Sequence, residues 1–65
     1  VQVIVNGTEQ ELTADCSLAA LLLLLEVRGR FAVEIDGELV PRSQHAQRRL
    51  QSGERVEIVQ AIGGG

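Results

Sequence analysis

What most constrains this chain is that only one stretch of it can form an amphipathic helix. Leu18, Leu21, Leu22 and Leu25 fall at i, i+3, i+4 and i+7, which is one helical face. Ser17 stands ahead of them as an N-cap whose hydroxyl can accept a free backbone N–H, and Gly29 is placed to stop the helix. Leu23 and Leu24 fall off that face, which points to self-association or a partner contact. All other apolar segments are short and rich in β-branched residues, so the lone helix can bury its leucines only against a sheet. A chain of 65 residues buries only about 60% of its unfolded surface. It therefore holds one core and no deep cleft between layers, which points away from an autonomous enzyme and toward a carrier or binding module.

The strands follow from period-2 patterns and turn residues. Val1, Val3 and Val5 share one face of a first strand. Asn6-Gly7 is a two-residue hairpin signal, and Thr8 to Leu12 returns with Glu9 and Glu11 toward water. Phe31 to Ile35 and Glu38 to Val40 flank a second such turn, Asp36-Gly37, and Pro41 ends the pair. Ser43 to Leu50 has no period-2 pattern and is assigned a turn or short helical segment. Arg55 to Ile62 is the last strand, with Val56 and Ile58 inward and Glu57, Val59 and Ala61 outward. Because the helix supplies the crossover, the first and last strands can pair in parallel. The expected fold is an α+β β-grasp (ubiquitin-like) roll: a mixed sheet of four to five strands on one main helix, spanning 1–62, with a flexible tail at 63–65.

That tail, Gly63-Gly64-Gly65, is the feature with chemical content. Three residues without side chains reach roughly 10 Å past a domain and fit a narrow channel. A terminal carboxyl ordinarily titrates at about 3.3–3.7, so it is ionised at neutral pH and can attack the α-phosphate of ATP. The acyl adenylate so formed carries no β-carbon to obstruct a sulfur nucleophile. A terminal Gly-Gly arises by chance roughly once in 200 chains, and frayed ends are often glycine-rich, so the tail alone counts for little. Its weight comes from continuing the last strand of a β-grasp pattern.

Beside the tail, the outward residues Val59, Ala61 and Ile62 of the last strand and Ile4 of the first are assigned a small apolar docking patch for a partner. Other candidates are weaker. Cys16 precedes a helix N-terminus, where thiolates are stabilised, but a buried or inert thiol is favoured. His45 has no second ligand at metal spacing and is assigned to the surface of a polar loop, so no metal site is expected. Arg42, Arg48 and Arg49 form either a solvated charged face or a contact for an acidic or phosphate-bearing partner.

Composition removes several classes. Nine acidic residues against six arginines give a net charge of −3, the opposite of a nucleic-acid footprint. One Phe with no Tyr or Trp leaves no stacking platform for single strands. There is no lysine, so lysine isopeptide and Schiff-base chemistry are impossible. The single cysteine suits a reducing compartment. The longest apolar run, Leu18 to Leu25, is far short of the roughly 20 residues that span a bilayer. It follows an acidic stretch, unlike a signal peptide. The expectation is a cytoplasmic protein with neither nucleic-acid nor membrane partners.

Three segments resemble the ThiS family, the sulfur carriers of thiamin biosynthesis: Val1 to Gly7, Val40-Pro41-Arg42-Ser43, and Gly53 to Gly65. The resemblance covers essentially the whole chain. It implies that a ubiquitin-activating-like enzyme adenylates Gly65 and that sulfur from a donor such as a cysteine desulfurase converts it to a thiocarboxylate. Thiazole synthase then takes that sulfur. The chain itself would be neither an enzyme nor the binder of a cofactor, ATP being held by the partner. Two departures stand out: Val1 occupies the place of the usual initiator Met, and Leu23 and Leu24 stand where the family is commonly polar. The rival readings are a carrier resembling the small subunit of molybdopterin synthase and a plain ubiquitin-like binding module with an inert tail.

Overall fold

In the computed structural model, which describes residues 1–60, the order is strand, strand, helix, strand, strand, short helix, strand. β1 (Gln2–Val5) and β2 (Thr8–Glu11) form an antiparallel hairpin. Its turn places Asn6 at φ +48° and Gly7 at φ +84°, both in the left-handed region that a type I′ turn requires. β3 (Phe31–Ile35) and β4 (Glu38–Leu39) form a second hairpin, with Asp36 and Gly37 at +51° and +84°. β5 (Arg55–Gln60) lies between the two hairpins, parallel to β1 and antiparallel to β3. The five-stranded sheet therefore runs β2-β1-β5-β3-β4, the mixed sheet of a β-grasp.

The helix α1 (Leu18–Leu24) begins as its cap residue dictates: the Ser17 hydroxyl accepts the Ala20 N–H at 3.1 Å. It ends sooner than the spacing predicts. Glu26, not Gly29, takes the left-handed position that closes it, at φ +57°. The Glu26 N–H donates to the Leu23 carbonyl and the Val27 N–H to that of Leu22, the paired bonds of a Schellman motif. Val27 packs against the core at that point, and this apolar contact offsets the strain of a non-glycine residue there.

Leu18, Leu21 and Leu22 meet Val3, Val5, Val33, Ile35 and Val56 from the inner face of the sheet, and Leu25 adds partial cover. Leu12, Val40 and Leu50 close the edges. Leu18 and Leu21 are completely buried, so truncating either to Ala would cost about 2–5 kcal/mol. Leu23 and Leu24 lie off this face, 81% and 66% exposed. The helix is too short to cross a membrane, and none of the described residues forms one that could.

The segment after β4 holds the turn and short helical piece expected of it, but its path carries His45 inward. It opens as a 3-10 turn, η1 (Arg42–Gln44), and folds back over the start of α1. There the carbonyls of Arg48 and His45 accept the N–H groups of Leu18 and Ala19 at 2.8 and 2.9 Å. These are free first-turn donors that would otherwise be left unpaired. His45 is consequently not a surface residue. It is 7% exposed, its ring stacks on Phe31 with centroids 6.2 Å apart, and its Nε2–H donates to the Val40 carbonyl at 3.0 Å. In the arginine cluster Arg42 and Arg49 are exposed and Arg48 is half-buried. Arg48 pairs with Glu54 at 2.5 Å, and the Arg42 guanidinium lies 5.0 Å from the Phe31 ring centroid.

Candidate functional site

β5 is the strand that leads toward the glycine tail, and its place at the centre of the sheet governs what surrounds it. Val56 points into the core and Ile58 packs against its margin, so Arg55, Glu57 and Val59 face outward, as the alternation requires. Val59 is 62% exposed and sits directly opposite Ala32 of β3, also exposed. Leu39 of β4, 65% exposed, is paired with Glu34 on the same outer face. Phe31, Ala32, Leu39, Pro41 and Arg42 share the lining of a depression of about 160 Å³ at the edge of this surface.

Register alters the predicted patch. Ile4 is half-buried and on the outer face, but it lies beside Arg55. Four residues of strand separate that position from Val59, roughly 13 Å at strand spacing. Ile4 is therefore not Val59's neighbour; Ala32 is, with Leu39 diagonal to Ala32 across the next strand. Alternation from Val33 and Ile35 could have placed Ala32 outward. Its juxtaposition with Val59 needed the β3–β5 register, which no local pattern supplies. Ala61, Ile62, Gly63, Gly64 and Gly65 lie outside the described residues.

Charge on this face is mostly negative. Glu34 and Glu57 stand directly opposite one another across β3 and β5, and Glu9 and Glu11 occupy the β2 end. Like charges in a directly opposed pair are destabilising, and among the described residues neither Glu34 nor Glu57 forms an ion pair. The face thus combines an exposed apolar strip beside β5 with the unpaired carboxylates of Glu34 and Glu57, an arrangement able to receive a surface with apolar and basic groups.

The other candidate residues lie elsewhere. Cys16 is half-buried at the start of α1, its thiol directed at the Ser17 carbonyl at 3.5 Å. Among the described residues no group of three His, Cys, Asp or Glu side chains is placed to hold a metal ion.

Comparisons with known proteins converge. A model of the ThiS family matches residues 3–65. The crystal structure of the thiamine biosynthesis protein ThiS from Geobacter metallireducens superposes with a TM-score of 0.82 at 28% identity, covering 100% of both chains. A thiazole synthase from Paramagnetospirillum magneticum is 41% identical over 66 residues, spanning 100% of this chain. The chain accounts for only 20% of the length of that relative.

Proposed function

The chain belongs to the ThiS family, and from that premise we propose that it is a sulfur carrier for thiazole formation in thiamin biosynthesis, a co-substrate rather than an enzyme. In this reading the Gly65 carboxylate attacks the α-phosphorus of ATP held by a ubiquitin-activating-like partner, and pyrophosphate leaves. A persulfide sulfur from a donor such as a cysteine desulfurase adds to the acyl carbonyl and AMP departs; a thiol then cleaves the resulting acyl disulfide, leaving a thiocarboxylate and a new disulfide. Thiazole synthase accepts the sulfur, and the carboxylate is restored for another cycle. Gly63 and Gly64 keep the approach narrow. The chain binds no cofactor of its own, and the cycle runs in the cytosol, where a reducing medium preserves thiocarboxylate and thiol.

The observation that carries this reading is the family match extending through residue 65, so that all three glycines fall within the matched pattern. The central position of β5 supports it: the strand leading to the tail is held by neighbours on both sides. The exposed strip of Val59, Ala32 and Leu39 provides the docking surface that orients the tail. The thiazole synthase relative favours this pathway over molybdopterin synthesis.

Mass spectrometry after incubation with the adenylating enzyme, ATP and a sulfur source tests the proposal. One sulfur should replace one oxygen at Gly65, and deletion of Gly64 and Gly65 or capping of Gly65 as an amide should abolish thiazole formation. Normal thiazole production by either altered chain refutes the carrier role.

A further inference from the structure

The two edges of β5 are secured differently. Toward β3 the ladder is continuous from Ile35 opposite Val56 to Phe31 opposite Gln60. The Gln60 side chain adds a bond from Nε2–H to the Arg28 carbonyl at 3.1 Å. Toward β1 the pairing stops at Val5 opposite Val56. The last backbone bond on that edge is the Asn6 N–H to the Val56 carbonyl, 2.9 Å, because the chain then turns into β2. In a parallel ladder the next peptide due a partner on that edge is that of Ile58, and β1 has no backbone left to offer. The Asn6 side chain takes the vacant place. Its Oδ1 accepts the Ile58 N–H at 2.8 Å and its Nδ2–H donates to the Ile58 carbonyl at 3.2 Å. A carboxamide carries one acceptor and donors in a single plane, the same complement as a peptide group, so Asn6 extends β1 by one residue while serving as the first residue of its turn.

The second hairpin provides an internal comparison. Asp36 occupies the same turn position with nearly the same φ, and its Oδ1 accepts the Arg55 N–H at 2.9 Å at the opposite end of β5. The Arg55 carbonyl is already served by the Asp36 backbone N–H, so an acceptor alone suffices and aspartate fits. At Ile58 both the N–H and the carbonyl need partners, and only asparagine supplies both.

We propose that Asn6 is a positioning residue for the reaction at Gly65: its carboxamide clamps the Ile58 peptide and thereby sets the direction in which β5 delivers the tail. The inference rests on the sulfur-carrier reading above. Without the clamp, β5 beyond Glu57 is held by its β3 edge alone, and strand segments with few bonds open locally at low cost. Within the strand, Gln60 lies two residues beyond Ile58, roughly 7 Å further along. A swing of roughly 10° at Ile58 would then move Gln60, from which the chain continues to the tail, by roughly 1 Å, and misplacement by about 1 Å can cost 100-fold in rate.

The test uses the full chain with Asn6→Gly, which keeps the left-handed turn but removes both bonds, and Asn6→Asp, which keeps only the acceptor. Ile58 amide exchange and the kcat and KM of ATP-dependent adenylation, with the carrier as varied substrate, are measured for each. Exchange at Ile58 should rise about 5- to 10-fold in Asn6→Gly, as expected for loss of a net hydrogen-bond contribution, with Arg55 unchanged. Its kcat should fall about 10-fold or more while KM stays within about twofold, since Ala32 and Val59 are untouched; Asn6→Asp should fall between. A residue important only for stability would leave the kcat of the folded protein unchanged. Wild-type kcat in Asn6→Gly overturns the inference, as does an unaltered Ile58 exchange rate or a loss confined to KM. Should Asn6→Gly not fold, Asn6→Asp decides by the same criterion. Absence of adenylation in the wild-type chain would instead refute the carrier reading and this inference with it.

Discussion

Replacement of Val59 by Asp separates docking from folding. Val59 keeps 62% of its surface exposed in the free domain, so a partner can remove at most that fraction from water. Full burial of a valine side chain is worth about 1.5–3 kcal/mol, and the available fraction therefore about 1–2 kcal/mol. An aspartate forced into the same contact adds about 1–3 kcal/mol for a polar group buried without a partner. It also adds a negative charge two residues from Glu57 and diagonal to Glu34. The combined loss is at least about 2 kcal/mol, roughly 30-fold in affinity. The domain itself should lose only about 1 kcal/mol, the span of strand preferences, and about 4–8 °C in Tm. The assay is ATP-dependent AMP release with the carrier concentration varied, alongside a thermal melt. KM should rise roughly 30-fold with kcat retained, the reverse of the pattern expected for Asn6→Gly. A V59D chain that is folded and has an unchanged KM refutes the assignment of this strip as the docking surface.

Two further outcomes follow from burial. His45→Ala removes a side chain stacked on Phe31 and bonded to Val40. It should cost about 2–3 kcal/mol and lower Tm by about 10 °C or more, while its metal affinity matches that of wild type; calorimetry with and without zinc checks both. Leu23 and Leu24 present too little area for the ~800 Å² per partner of a standard interface, so sedimentation should show a monomer at micromolar concentration. The Leu23→Glu, Leu24→Glu chain should unfold within about 0.5 kcal/mol of wild type in urea. A stable dimer, or a larger loss of stability, contradicts that account of the exposed pair.

Much of the local structure is legible in the sequence because it depends on neighbouring residues. Asn6-Gly7 and Asp36-Gly37 specify turns through residues that tolerate positive φ. Ser17 caps α1 with its own hydroxyl, and the buried leucines are those that the helical period selects. The helix end departs from its expected place because glycine is the usual left-handed residue, whereas here the contact of Val27 with the core allows Glu26 to take that position. The burial of His45 is not legible because its segment has no periodicity. What buries it is the need of the first turn of α1 for acceptors, met for Leu18 and Ala19 by the carbonyls of Arg48 and His45, far later in the chain.

The candidate site divides along the same line. The glycine tail, the outward phase of Val59 and the acidic balance can be read from residue order alone, since composition and a two-residue period are properties of one segment. The separation of Ile4 from Val59, the pairing of Val59 with Ala32, the opposition of Glu34 and Glu57 and the grip of Asn6 on Ile58 were decided by tertiary structure. Each depends on the register between strands distant in sequence. That register is set when the leucines of α1 and the inner valines of the sheet settle into one common core, and a shift by a single residue would reverse every side chain on the shifted strand.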